Sequence, residues 1–120
     1  MYTDDTNSLL ALAAALVAGH GVVDAENIAK SYSEFFDHLP KRGYPDSAKA
    51  VLRLCGQGAD VRLTGMSSFC FGSFANGAAM RISSLACCCS PSMPLNEFSA
   101  LVAEVWTILC LFVLVIYFFF

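Results

Sequence analysis

The sequence has little positive charge, and its basic residues are scattered. Seven of the 120 residues are Lys or Arg, against ten Asp or Glu, which gives a formal net charge of −3. Proteins that bind nucleic acids concentrate Lys and Arg in one patch or segment. No such concentration occurs here, so we expect no nucleic-acid partner.

Other chemical signatures are missing as well. The six cysteines include no C-x-x-C pair with a second pair, and three of them are consecutive at 87–89, so a zinc site is not expected. We interpret them as small apolar residues in a reducing compartment, with S-acylation near a membrane as the alternative. No Ser/His/Asp or Cys/His nucleophile pairing is recognisable. Acidic residues at positions 4 and 5 replace the positive region of a secretory signal, so we expect an intracellular location in cytoplasm, nucleus or organelle.

Apolar residues, in contrast, are abundant and recur at helical spacing. They make up 57% of the chain, above the roughly 45–50% of an average domain. Neither a clear strand nor an internal repeat is present, so the predicted class is all-α. We predict helices over 6–19, over 25–38 after an Asp24 cap, from Asp46 or Ser47 to about 55, over 76–89, and from Asn96 or Ser99 towards Phe120, with a loop over 59–75.

The stretch Thr3-Asp4-Asp5-Thr6 precedes the first of these helices. Two adjacent carboxylates repel each other unless a cation lies between or beside them. Carboxylate and hydroxyl oxygens are hard ligands that suit Mg²⁺ or Ca²⁺. Asp and Thr are also common cap and first-turn residues of helices. A metal site and simple helix capping both account for the tetrapeptide alone.

A second stretch, GSFANGAAMR at 72–81, has two glycines that bracket small residues and an aromatic before a predicted helix. Free backbone N–H groups at such a position can bind a phosphate, and Phe74 can stack on a base or cover a ribose. An ordinary loop with an aromatic plug is the alternative, because neither a Walker nor a Rossmann pattern is matched.

Taken together and in this order, these stretches resemble the ADP-ribosylglycohydrolase family, which includes serine-ADP-ribosyl hydrolases and dinitrogenase-reductase-activating glycohydrolases. The matching segments are YTDDT (2–6), RGY (42–44) and GSFANGAAMRI (72–82). The resemblance implies part of an orthogonal helical bundle that hydrolyses the glycosidic bond between ADP-ribose and a protein side chain or an ADP-ribose polymer. It implies two Mg²⁺ ions on Thr3, Asp4 and Asp5, and ADP-ribose on Gly72, Ser73, Phe74, Ala75, Asn76 and Gly77.

The chain also departs from the family pattern. The family completes its ion shell with a second acidic cluster near the C-terminus, but after Asp60 this sequence has only Glu97 and Glu104 as acids. Many members use a glutamate upstream of the acidic motif, where only Met1 and Tyr2 stand here, so no catalytic residue is assigned. The family loop usually has two glycines where this chain has Gly77-Ala78. We therefore expect a truncated N-terminal part with little turnover, and a non-catalytic ADP-ribose-binding remnant as the alternative.

The C-terminal residues form an apolar segment. We divide the chain into a partial glycohydrolase domain (1–94) and an apolar C-terminal helix (95–120). Residues 105–120 carry no charge and fall just short of the roughly 17–25 residues that span a bilayer, although starting at 101 lengthens the segment. Three interpretations remain: a membrane anchor through 101–120, a buried core helix, or an aberrant terminus that replaces the family sequence.

Overall fold

The structure, a computed structural model, describes residues 2–38, 42–64, 67 and 82–109. In these ranges every regular element is an α-helix, which confirms the all-α prediction. The helices are α1 (Asp4–Ala18), α2 (Ala25–His38), α3 (Asp46–Gly56), α4 (Val61–Thr64), α5 (Ser83–Cys88) and α6 (Leu95–Leu109).

Helix α1 begins two residues earlier than its hydrophobic pattern predicts. Thr3 is the N-cap residue, with φ −93° and ψ −176°, so Asp4 and Asp5 lie in the first turn. Negative charge is favourable there because the unpaired N–H groups give this end a partial positive charge. The sequence predicts an apolar stripe of Leu9, Leu12, Ala13, Leu16 and Val17; Leu12 and Leu16 are buried as predicted, but Val17 is exposed, so the prediction is wrong there. The observed buried face instead includes Ala11 and Ala15.

Helix α2 has the predicted bounds. The Asp24 carboxylate accepts a hydrogen bond from the Asn27 N–H at 2.9 Å, which is the predicted cap. Ile28, Tyr32 and Phe36 are buried on one face. The helix packs against α1, where the Ser31 hydroxyl donates to the Ala11 carbonyl at 2.8 Å.

Helices α3 and α4 depart from the sequence predictions. Pro45, rather than Asp46 or Ser47, is the N-cap residue of α3. Helix α4 lies inside the stretch predicted as a loop, so that prediction is wrong at 61–64. Four residues are too few to show a helical period. The Thr64 hydroxyl donates to the Ile108 carbonyl of α6 at 2.8 Å, so tertiary packing supports the turn.

The predicted small-residue helix is α5, which begins at Ser83; positions 76–81 of that prediction lie outside the described residues. Cys87 and Cys88 are exposed, whereas Cys55 of α3 is buried and Cys89 packs against the core, so the interpretation of the cysteines as core residues holds for Cys55 and in part for Cys89 but is wrong for Cys87 and Cys88. Ser84 of α5 donates to the Leu9 carbonyl at 3.0 Å, which joins α5 to α1.

Helix α6 places Val105 and Ile108 in the core. Among the described residues, none of the helices combines the length and apolar character that crossing a bilayer requires, so a transmembrane helix is not supported there. Positions 110–120 of the apolar tail lie outside the described residues. The division of the chain at residues 94 and 95 stays a prediction.

One apolar cluster joins these helices. Its buried members are Ala11, Leu12, Ala15, Leu16, Ile28, Ala29, Tyr32, Phe36, Tyr44, Val51, Leu52, Cys55, Leu85, Val105 and Ile108. Tyr44 precedes α3 in the segment that follows α2, and its burial brings residues 42–44 against the start of α1.

Candidate metal centre

The start of α1 exposes a threonine hydroxyl that is not used as a cap. Thr3 has the extended backbone of an N-cap residue, but its side chain makes no cap hydrogen bond. Most helices that begin with Thr use its oxygen to accept an N–H of the first turn. The capping interpretation therefore does not account for this hydroxyl.

The two carboxylates that follow are half-buried, and the described part of the chain offers them no ion-pair partner. Neither Asp4 nor Asp5 forms an ion pair with any residue that the structure describes. The helix end offsets part of their repulsion, but this dipole interaction contributes only about 0.3–1 kcal/mol. Two neighbouring carboxylates without an ion-pair partner among the described residues form an arrangement that attracts a cation.

Arg42 is near this turn but directs its charge elsewhere. Its Nη1 donates to the Tyr2 carbonyl at 2.6 Å, and its Cζ lies 3.8 Å from the centroid of the Tyr2 ring. The Arg42 carbonyl accepts the Asp4 N–H at 2.8 Å. The guanidinium thus holds Tyr2, the residue before Thr3, and the main chain of Arg42 holds Asp4, the residue after it.

Gly43 and Tyr44 continue this contact. Gly43 has φ +93°, and a Cβ on it would lie 3.7 Å from Asp4 Oδ1. The Tyr44 hydroxyl accepts a hydrogen bond from Asn7 Nδ2 at 2.8 Å, and the same amide donates to the Phe35 carbonyl at 2.9 Å. The Tyr44 ring is buried and meets Phe36 edge-on, with centroids 5.2 Å apart at 88°.

Asn7 is a functional candidate that the sequence analysis missed. It is fully buried, although it is polar and lies on a helix that was identified by its apolar stripe. The available signal was its spacing: Asn7 stands four residues before Ala11, on the stripe that faces the core. A polar residue at such a position needs hydrogen-bond partners. Here they are Phe35 and Tyr44, which lie 28 and 37 positions further along the chain.

The oxygens at this turn are of the kind that Mg²⁺ binds. Thr3, Asp4 and Asp5 are adjacent and supply one hydroxyl and two carboxylates, all hard donors. Mg²⁺ takes about six oxygens, usually including several waters. In the described ranges no group of three or more His, Cys, Asp or Glu side chains is placed to hold a metal. The turn therefore fits Mg²⁺ in donor type and supplies part of a shell.

The remaining sequence candidates lie apart or outside the described residues. Glu104 faces α4, where its Oε1 is 3.8 Å from Arg62 Nη2. The predicted ADP-ribose loop, Gly72 to Gly77, lies outside the described residues. The structure does bring together two of the segments that carried the resemblance, residues 2–6 and 42–44.

Comparison with known protein families identifies a relationship. The sequence model of the ADP-ribosylglycohydrolase family matches residues 1–107, a range that includes the acidic turn, residues 42–44 and the predicted ADP-ribose loop. No curated protein matches the chain. The family is one of glycosyl hydrolases that act on ADP-ribosylated substrates. With most of its length covered by that match, the chain belongs to the ADP-ribosylglycohydrolase family.

Proposed function

We propose that this chain binds Mg²⁺ through Thr3, Asp4 and Asp5 and uses it to hydrolyse the glycosidic bond between ADP-ribose and a partner. That partner is a protein side chain or another ADP-ribose of a polymer. Within the family, the resemblance is to the group that includes serine-ADP-ribosyl hydrolases and dinitrogenase-reductase-activating glycohydrolases, and the proposal covers serine, arginine and polymer linkages alike. The observation that carries the proposal is the pair of half-buried carboxylates in the first turn of α1, which form no ion pair with any described residue.

The described residues contribute charge and position. A bound Mg²⁺ would orient the ribose diol and polarise a water. Asp4 and Asp5 supply negative charge at a helix end whose dipole tolerates it. The hydrogen bond from the Asp4 N–H to the Arg42 carbonyl fixes the main chain from which the first carboxylate projects. The segment Gly72 to Gly77 would hold the phosphates and the adjoining ribose through its N–H groups.

The reaction also requires proton transfer. Water adds its oxygen to the anomeric carbon and gives up a proton to a general base, the bond from that carbon to the leaving group breaks, and the leaving group takes a proton from a general acid. The only acids after Asp60 are Glu97 and Glu104, and Glu104 pairs with Arg62. With part of an ion shell and few acids, we propose weak metal binding and slow turnover in this chain.

Release of ADP-ribose tests the proposal. The full chain is incubated with an ADP-ribosylated peptide and MgCl₂, and free ADP-ribose is measured. We expect slow release that is lost on chelation and in Asp4→Asn. Asp24→Asn is the matched control, because it makes the same chemical change at the start of α2 and asparagine caps helices as well as aspartate does. Equal release by wild type and Asp4→Asn would contradict the metal assignment.

A second candidate, a binder of ADP-ribose without turnover, is favoured by the partial ion shell. Calorimetry with ADP-ribose separates the two functions. Heat of binding without any release from the peptide would support the binder. Absence of heat, both with and without Mg²⁺, would remove it.

A further inference from the structure

Residues 42–44 contact the first turn of α1 at three successive points. The Arg42 carbonyl accepts the Asp4 N–H, Gly43 lies beside the Asp4 carboxylate, and the Tyr44 hydroxyl accepts a hydrogen bond from the Asn7 amide. We call Arg42, Gly43 and Tyr44 the anchoring turn. Its contacts extend from Asp4, the first residue of the acidic pair, to Asn7, the second residue after the pair.

A helix end needs such support to hold two like charges. The first N–H groups of a helix have no partner within the helix, and helix ends open more easily than helix centres. The Asp4 N–H finds its partner in the anchoring turn at 2.8 Å. Repulsion between the adjacent carboxylates would otherwise favour an opened turn, in which they separate.

The Asn7 amide is the buried part of this support. Its Nδ2 is held by the Phe35 carbonyl and the Tyr44 hydroxyl, while its Oδ1 has no hydrogen-bond partner among the described residues. The orientation of the amide therefore depends on its donor side. Loss of the Tyr44 hydroxyl would leave one direct hydrogen bond to hold a fully buried side chain.

From this geometry we infer that the anchoring turn is the positioning element of the metal site, with Tyr44 as its central residue. Tyr44 acts through Asn7 on the turn that bears Asp4 and Asp5. The inference rests on the metal-binding part of the proposed function. Groups that orient metal ligands without touching the ion typically change metal affinity by about 10–100-fold when they are removed.

Tyr44→Phe tests this role with little change in packing, because the phenyl ring keeps its edge-on contact with Phe36. Mn²⁺ serves as the probe, and its affinity for the full chain is measured by electron paramagnetic resonance. We expect Tyr44→Phe to bind Mn²⁺ about tenfold more weakly than wild type. Hydrogen exchange of the Asp4 amide, measured without metal, should be faster in the variant.

Ser31→Ala is the matched control. Ser31 also joins α1 to a neighbouring element through one buried hydroxyl, but its partner is the Ala11 carbonyl, further along the helix. The midpoint temperature of thermal unfolding should fall by a similar amount in the two variants. Only Tyr44→Phe should weaken Mn²⁺ binding, so general destabilisation cannot produce the expected result.

The outcomes separate the two ideas. If wild type binds Mn²⁺, Asp4→Asn does not and Tyr44→Phe binds as tightly as wild type, the positioning role is wrong while the metal site stands. If wild type does not bind Mn²⁺, the metal site fails and the positioning role fails with it. If Tyr44→Phe does not fold, Arg42→Ala replaces it, because that variant removes the Tyr2 anchor at the same turn; unchanged affinity there contradicts the inference.

Discussion

At the scale of single residues, Gly43 occupies a position that only glycine adopts without strain. Its φ of +93° lies in the left-handed half of the backbone map. The space beside it is ordinary, since a Cβ would meet Asp4 Oδ1 at normal van der Waals distance. Backbone strain, rather than a clash, is therefore what a side chain would introduce here.

Gly43→Ala should lower the free energy of unfolding by about 1–2 kcal/mol, the cost of a left-handed residue with a Cβ. Urea unfolding followed by circular dichroism measures the change. Gly58→Ala is the control, because Gly58 has φ +75° but a Cβ added there would meet nothing within 4 Å. Both variants should lose stability, whereas only Gly43→Ala should alter Mn²⁺ binding. Unchanged stability in Gly43→Ala would show that the turn adjusts freely.

Cys55 and the cysteines of α5 should react differently with thiol reagents. Burial raises the pKa of the Cys55 thiol, and the smaller opposing effect is its hydrogen bond with Thr64. Cys87 and Cys88 are exposed. At pH 7.5 we expect iodoacetamide to label Cys87 and Cys88 before Cys55, as peptide mass spectrometry would show. Early labelling of Cys55 in folded protein would contradict its burial.

The Cys55 thiol should also make the stability of the fold depend on pH. The folded-state pKa of Cys55 is raised above the ordinary value of 9.0, so an unfolded chain releases this proton at lower pH than the folded chain. The contribution of Cys55 to folding is complete below about pH 9 and declines as the pH rises further. Wild type should therefore lose more stability than Cys55→Ala between pH 8 and pH 10, measured by urea unfolding.

Residue-scale sequence reasoning found the acidic pair but not its support. Thr3, Asp4 and Asp5 are adjacent in the sequence, so inspection of the chain finds them together. Asn7 and Tyr44 are 37 positions apart, and their hydrogen bond exists only because α2 and the following segment return to the start of α1. Such a pairing has no one-dimensional signature beyond a polar residue within an apolar stripe.

At the scale of elements, α1 depends on its inward face. Leu12 and Leu16 are completely buried, while Val17 is 75% exposed. Leu12→Ala should cost about 2–5 kcal/mol, because a buried leucine loses both its transfer free energy and its packing. Val17→Ala should change stability by less than about 0.5 kcal/mol. Urea unfolding of the two variants checks the difference, and equal losses would mean that the helix faces were assigned wrongly.

The elements also show when sequence patterns suffice. Helix α2 was predicted with its observed bounds, because an Asp24 cap and a clear apolar face agree with each other. Helix α4 was missed, because its support comes from α6 through the hydrogen bond between Thr64 and Ile108. The start of α1 was placed at Thr6 from hydrophobic spacing, whereas the helix includes the acidic residues, whose charge suits its N-terminal end.

At the scale of the whole molecule, metal binding should appear as stability. An ion that binds only the folded chain raises the free energy of unfolding by RT ln(1 + [L]/Kd), which is about 1.4 kcal/mol at ten times Kd. MgCl₂ should therefore raise the thermal midpoint of wild type but not of Asp4→Asn. NaCl at equal ionic strength is the control for screening. A rise of equal size in both proteins would indicate a site elsewhere.

Family membership was predictable from short motifs, and the match over residues 1–107 confirms it. The surroundings of the acidic pair were less predictable, because they come from segments that are distant in sequence. Two of the motif segments, residues 2–6 and 42–44, are adjacent in the fold, and their separation in the sequence gives no sign of this. The third motif segment, residues 72–82, predicts an ADP-ribose-binding loop, and measurements of ADP-ribose binding can test that prediction.

Three links between helices share one design: a serine or threonine hydroxyl donates to a main-chain carbonyl of another helix, as Ser31 does to Ala11, Ser84 to Leu9 and Thr64 to Ile108. Every amino acid carries such a carbonyl, so the link itself makes no demand on the side chain at an accepting position; packing alone sets the choice there, as at the buried Ala11 and Ile108. The donating positions must keep a hydroxyl. Among relatives of this chain, serine or threonine should therefore persist at the donors, while the acceptors exchange apolar residues of similar size.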